Sequence, residues 1–93
     1  MRVPLYNVLR RQRVTYTYTV VIERDEDGVY IAVCPALPGC HTQGRTYRET
    51  LDHIRDAIAL HLQARQDLGE PIPIETAIEK VEVAFETPSG STG

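Results

Sequence analysis

Residues 15–23, TYTYTVVIE, place Tyr16, Tyr18, Val20 and Ile22 on one side and Thr15, Thr17, Thr19 and Val21 on the other. A period of two in residues that suit a pleated surface predicts a strand. RDEDG follows, and its Asp27-Gly28 pair signals a hairpin. VYIAVC resumes as a second strand, with Val29, Ile31 and Val33 facing one way and Tyr30, Ala32 and Cys34 the other. Both sides are apolar, as in a central strand, and Pro35 ends it for want of an N–H. Pro38-Gly39 reads as a type II turn. CHTQGR then gives a short third strand.

From Thr46 the period changes. Thr46 and Glu49 have the spacing of a capping box, and Tyr47, Leu51, Ile54, Ile58 and Leu62 recur at three- and four-residue steps. A helix is predicted from Tyr47 to Asp67. Arg48–Asp52 and Asp52–Arg55 are its expected solvent-side pairs, Gly69 is its C′ stop and Pro71 lies just beyond. Residues 70–79 read as an extended connector whose prolines forbid helix. KVEVAF, residues 80–85, alternates again and is expected to be a fourth strand.

The order β-β-β-α-β predicts an α+β domain. A right-handed crossover carries the fourth strand parallel to the first, giving a mixed four-stranded sheet of order 3-2-1-4 with one main helix on one face. The other face, with Tyr30, is left bare, and a second subunit is the expected cover. Residues 1–14 are expected to be a basic arm or short helix, with Pro4 at its first position. Residues 15–86 are the domain, and residues 87–93 are a disordered polar tail.

Charge narrows the choice of partner. The 93 residues carry a net −3, yet residues 1–13 hold Arg2, Arg10, Arg11 and Arg13 and no acid. That leaves six basic and thirteen acidic groups in residues 14–93, a net −7. An acidic body is a poor match for bare nucleic acid and a good one for a basic protein, because opposite charge speeds encounter. The four arginines are the candidates for nucleic-acid contact. No apolar run spans a membrane and no secretory leader is visible, so a cytoplasmic protein with reduced thiols is expected.

Residues 34–46, CPALPGCHTQGRT, are the place to look for chemistry. Cys34, Cys40 and His41 give C-x5-C-H, which lacks the knuckle and the fourth ligand of a structural zinc site. His53 and His61 are eight residues apart on the helix, about 12 Å by its rise, too far to share a metal directly. Adjacent Cys40 and His41 lack the third, orienting group of a nucleophile–base pair. Asp25, Glu26 and Asp27 do not continue into a calcium loop. The stretch reads as a connector, with no catalytic residue, metal or cofactor expected.

Residues 18–70 resemble the HicB-like antitoxins of type II toxin–antitoxin pairs. The resemblance rests on the acidic hairpin ending Asp27-Gly28, on Val29-Tyr30-Ile31-Ala32, and on the string from Cys34-Pro35-Ala36-Leu37-Pro38-Gly39-Cys40 through Thr42, Gly44 and Thr46. It implies a partial ribonuclease H-like fold without nuclease activity. The implied partner is a HicA-like toxin protein, small, basic and mRNA-cutting; homo-oligomers, dimers or tetramers, are also implied. Ala36 stands where the family usually has an acid, and Arg45 where it often has an acid or a serine. After Phe85 comes ETPSGSTG, so the C-terminal DNA-binding module of many members is not expected here. Asp25, Glu26, Asp27, Glu49 and Asp52 are the candidate partner-binding residues, helped by an open sheet edge. The alternative is a solitary homo-oligomer that contacts nucleic acid weakly through its arginines.

Overall fold

The structure is a computed structural model and describes residues 12–89. Three short strands are followed by one helix: β1 Val21–Arg24, β2 Tyr30–Val33, β3 His41–Gly44 and α1 Tyr47–Asp67. The strands form an antiparallel sheet in the order β1-β2-β3. Val21 pairs with Val33 and Arg24 with Tyr30; Tyr30 pairs in turn with Gly44, and Val33 with His41.

Alternation along β2 decides what is buried. Ala32 is fully buried under the helix, whereas Val33 is exposed on the opposite face beside Val21. The core consists of Ala32, Cys34, Leu37, Cys40 and Ile54, with Tyr18, Val20, Ile22, Leu51, Ala57, Ile58 and Leu62 packed around it. The predicted helical stripe therefore faces the sheet, apart from Tyr47, which is half exposed. Tyr47 meets Tyr30 edge to face, with ring centroids 6.3 Å apart. Tyr30 thus lies on the helix side, and the bare face carries Val21 and Val33 instead.

The 34–40 connector is a double turn that delivers three side chains to that core. Leu37 N–H donates to the Cys34 carbonyl and Cys40 N–H to the Leu37 carbonyl, and Cys34 N–H closes the base on the Cys40 carbonyl at 3.0 Å. In the second turn Pro38 holds position i+1, and Gly39 holds i+2 at φ +82, the type II form expected from the sequence. Leu37 is fully buried at the hinge between the two turns.

Seating of α1 on β3 is tighter than the pattern suggests. A Cβ on Gly44 would lie 2.5 Å from Thr50 Oγ1 and 2.9 Å from Thr50 N. Thr50 is fully buried, and its hydroxyl donates to the Thr46 carbonyl at 2.8 Å. Thr46 caps the helix by accepting from Glu49 N–H at 3.0 Å; the reciprocal Glu49 bond of a full capping box is not among those of the described residues. His53 Nδ1 lies 2.9 Å from the Gln43 carbonyl, a second clamp between helix and strand that needs the proton on Nδ1. At the far end Glu70 N–H donates to the Arg65 carbonyl and Gly69 N–H to that of Gln66, the paired bonds of a Schellman stop.

Two expected elements differ. The first strand is shorter than residues 15–23, because Pro35 and the turn end β2 at Val33 and leave residues 15–20 nothing to pair with. No fourth strand forms at 80–85 among the described residues, so the order 3-2-1-4 is not reached. The connector explains why. Tyr18 Oη donates to the Pro73 carbonyl at 2.6 Å, Thr19 Oγ1 donates to Glu75 Oε2 at 2.8 Å, and Thr19 N–H donates to Glu75 Oε1. With Glu75 held beside Thr19, a parallel strand at about 3.3 Å per residue would reach the hairpin tip near residue 81. Residues 81–85 then overshoot β1.

Substituting Gly44→Ala is expected to lower the unfolding free energy by about 1–3 kcal/mol through overpacking against the Thr50 backbone. Gly39→Ala has open space around it and is expected to cost about 1–2 kcal/mol through φ alone. Gly39→Asn should recover part of that loss, and Gly44→Asn none. Urea midpoints of the four variants check this.

Candidate functional site

The hairpin tip is built by its own aspartate. Asp25 Oδ1 accepts from Asp27 N–H and Val29 N–H, both at 2.9 Å, while Gly28 N–H donates to the Asp25 carbonyl at 3.1 Å. Asp25 therefore spends one carboxylate oxygen on folding the loop, and Glu26 and Asp27 project freely and exposed. The Arg24 guanidinium lies 5.5 Å from the Tyr30 ring centroid, a cation–π contact at the root of the tip.

Register sets the hairpin tip and the helix start, with their acids and with Arg24, Arg45 and Arg48, at the same end of the sheet. Tyr30, just after the tip, pairs with Gly44, three residues before the helix begins. The tip and the first turns of α1 thus share one end of the molecule. Asp25, Glu26, Asp27, Glu49 and Asp52 lie on that end, with Glu49 half-buried and Asp52 exposed. Asp52 Oδ1 is 3.6 Å from Arg55 Nη1, so its charge is partly answered on the helix itself. Of the arginine candidates, Arg13 is exposed; Arg2, Arg10 and Arg11 lie outside the described residues.

Among the described residues, two open grooves lie along the lead-in to β1. One, of about 520 Å³, runs between β1 and the connector and is lined by Val21, Pro35, Ile74, Ala77 and Ile78. The other, of about 380 Å³, lies between residues 16–20 and the helical residues Leu51, Ile54 and Ile58. Both are predominantly apolar. Among the described residues, no three His, Cys, Asp or Glu side chains come together to hold a metal ion, and no helix is long and apolar enough to cross a membrane.

Cys34 and Cys40 are free thiols buried in the core. Burial pushes both above the ordinary thiol pKa; for Cys34 the turn's own hydrogen bonds from Ala36 and Leu37 work against this shift, and for Cys40 the neighbouring Cys34 adds to it. A protonated, enclosed thiol is a packing group, and the thiolate needed for nucleophilic attack is suppressed.

Comparison with known proteins bears directly on this arrangement. A profile described as the HicB-like antitoxin of bacterial toxin–antitoxin systems matches residues 18–89. The chain belongs to the HicB-like antitoxin family. It is 47% identical over 62 residues to a UPF0150 protein of Thermoplasma acidophilum, covering 67% of this chain and 90% of that one. A UPF0150 protein of Synechocystis is 43% identical over 65 residues, covering 70% of this chain and 82% of that protein. Among solved structures, the N-terminal domain of the Burkholderia pseudomallei antitoxin HicB matches with a TM-score of 0.51 and 28% identity, covering 73% of this chain and 69% of that one.

The fold explains what the HicB-like string from Pro35 to Thr46 is for. Leu37 and Cys40 fill the core, Gly39 takes the positive φ of the turn, Gly44 admits the helix, and Thr46 caps it. Each of these positions has a backbone or packing task, so the string marks a scaffold. The candidate contacts lie outside this string, at the hairpin tip and in the first turns of α1. Sequence reasoning missed the loop-building role of Asp25, although an aspartate opening a D-x-D-G turn is a signal for it. It also missed the clasp of Tyr18 and Thr19 on Pro73 and Glu75, which spans 55 or 56 residues and has no local signature.

The raised thiols fix a pH dependence. Unfolding releases Cys34 and Cys40 to an ordinary pKa near 8.5, so above that pH the unfolded chain holds fewer protons than the folded one. Stability from this source is complete below about pH 8.5 and is lost as pH rises through the folded values. The urea midpoint under reducing conditions is expected to fall on the alkaline side. Labelling of both cysteines by a thiol reagent should be slow until the protein unfolds.

Proposed function

We propose that this chain is a non-catalytic antitoxin that binds a small basic RNA-cutting toxin of the HicA type in the cytoplasm and denies RNA access to it. Residues 15–86 form the binding body. Membership of the HicB-like family is the observation that carries the reading. Charge supports it: residues 14–93 hold thirteen acids against six basic groups. Asp25, Glu26, Asp27, Glu49 and Asp52, gathered at one end of the sheet, are the proposed contact residues.

Inhibition in this reading is steric and electrostatic. A basic active site evolved to hold phosphates is attracted by clustered carboxylates, and the folded body behind them excludes the RNA. Asp25 differs from its neighbours because it also builds the loop.

Co-expression with the product of the adjacent short reading frame tests the reading. That product should be small, basic and toxic alone, and harmless when this chain is present and co-purifies. A neighbour that is harmless alone and never co-purifies contradicts it. The double variant Glu26→Lys with Asp27→Lys is expected to weaken the complex by about tenfold at low salt, with less effect at high salt, and to leave the urea midpoint unchanged. Asp25→Ala is expected to lower both binding and stability.

A further inference from the structure

Cys34 and Cys40 face each other where the sheet meets the double turn. The β2–β3 register pairs Ala32 with Thr42 and Val33 with His41, so Cys34 comes next, opposite Cys40. The Cys34 N–H donates to the Cys40 carbonyl at 3.0 Å, which continues the ladder by one step. Side chains alternate along a strand, so Cys34 turns the same way as Ala32, and both thiols belong to the one buried cluster. They are close enough that ionising Cys34 opposes ionising Cys40. Opposed residues at a hydrogen-bonded step have Cα atoms about 5.5 Å apart, the usual span of a disulfide. Packing alone asks only for a small apolar side chain at each place. Two facing thiols add the capacity to bond.

We propose that Cys34 and Cys40 are a redox pair, which a small disulfide such as glutathione disulfide converts to an intramolecular disulfide that clamps the base of the double turn. The pair rests as thiols and bonds when the balance of small thiols and disulfides around it shifts. The reaction is two exchanges. The Cys40 thiol, 5% exposed against 1% for Cys34, loses its proton, and its thiolate attacks one sulfur of the reagent. The reagent's S–S bond breaks, one small thiolate leaves, and Cys40 carries a mixed disulfide. The Cys34 thiolate then attacks the Cys40 sulfur, the second small thiolate leaves, and the Cys34–Cys40 bond forms. The two protons given up by the cysteines go to the two leaving thiolates, and two electrons pass from the protein to the reagent. Both thiols are enclosed and held protonated by burial, so the first exchange waits for the double turn to open and is slow.

The bond restricts the unfolded chain and fixes the turn that carries Leu37 into the core. It lies at the far end of β2 from the hairpin tip, so it leaves the candidate contacts in place. The proposal does not depend on the toxin reading, and its test uses this chain alone.

The full-length chain is equilibrated in mixtures of reduced glutathione and glutathione disulfide, quenched with acid and weighed by mass spectrometry. The expected product is monomeric, lighter by two hydrogens and restored by dithiothreitol. With only two cysteines in the chain, that loss identifies the bond without recourse to a variant. The oxidised form is expected to unfold at higher urea, its unfolding constant lowered roughly tenfold or more. Linkage requires the same factor in reverse. The native chain should therefore be half oxidised in a glutathione mixture more reducing, by that factor, than the mixture needed in strong urea. Glutathione adducts that persist at one cysteine, covalent dimers, an oxidised form no more resistant to urea, or a bond that forms no more readily in the folded chain than in urea would each overturn the proposal.

Discussion

The contact between Gly44 and the backbone of Thr50 governs the geometry of everything else. It brings the first turn of α1 down onto the end of β3 at a distance no side chain at residue 44 would allow. Thr50 is buried by that approach and answers its own hydroxyl within the first helical turn. Once the helix is seated, Ile54 falls over Ala32, and the double turn of residues 34–40 closes the core from the side with Leu37 and the two cysteines. The core is small, so stability rests on a few well-placed contacts rather than on a large buried area. The same seating carries the helix start to the end of the sheet where the acidic hairpin projects.

A second constraint acts at a distance. The hydroxyl of Tyr18 and both polar groups of Thr19 hold Pro73 and Glu75 against the strand that leads into β1. Burial raises the pKa of the Tyr18 phenol above its usual value, with the nearby Cys34, Tyr16 and Glu75 contributing in the same direction and Arg65 opposing. The clasp fixes where the chain goes after the helix. It also determines what is left uncovered, because a connector anchored at Glu75 cannot place Val81, Val83 and Phe85 alongside β1. The scaffold and the exposed segment are thus products of one arrangement.

Much of the scaffold is legible in the sequence, because local physics sets it. The helix limits, the Thr46 cap, the Gly69 stop and the Pro38-Gly39 turn all follow from spacing and from backbone preferences, and the structure agrees with each. Burial of Cys34 and Cys40 as packing groups was equally readable. What local rules could not supply was partner choice between distant segments. Alternation at 80–85 announces a strand but does not say which edge it meets. The lead-in at 15–20 has the same pattern, and lacks a ladder because its neighbour stops at Pro35. The face assigned to Tyr30 went wrong for a related reason: both sides of β2 are apolar, so only the packed helix decides which is inside. The candidate contacts were chosen by charge alone, whereas the loop-building duty of Asp25 emerged only from its hydrogen bonds.

In the proposed reading this chain acts as an obstacle, and an obstacle has a stoichiometry. Titrating the RNase activity of the purified cognate toxin with increasing amounts of this chain measures that directly. The account predicts a linear fall in RNA cleavage that reaches zero at a fixed ratio of the two proteins, with the toxin recovered intact and active after the complex is dissociated. Full inactivation at a small fraction of that ratio, or toxin that stays inactive once separated, would mean that this chain acts catalytically on its partner and would contradict the account.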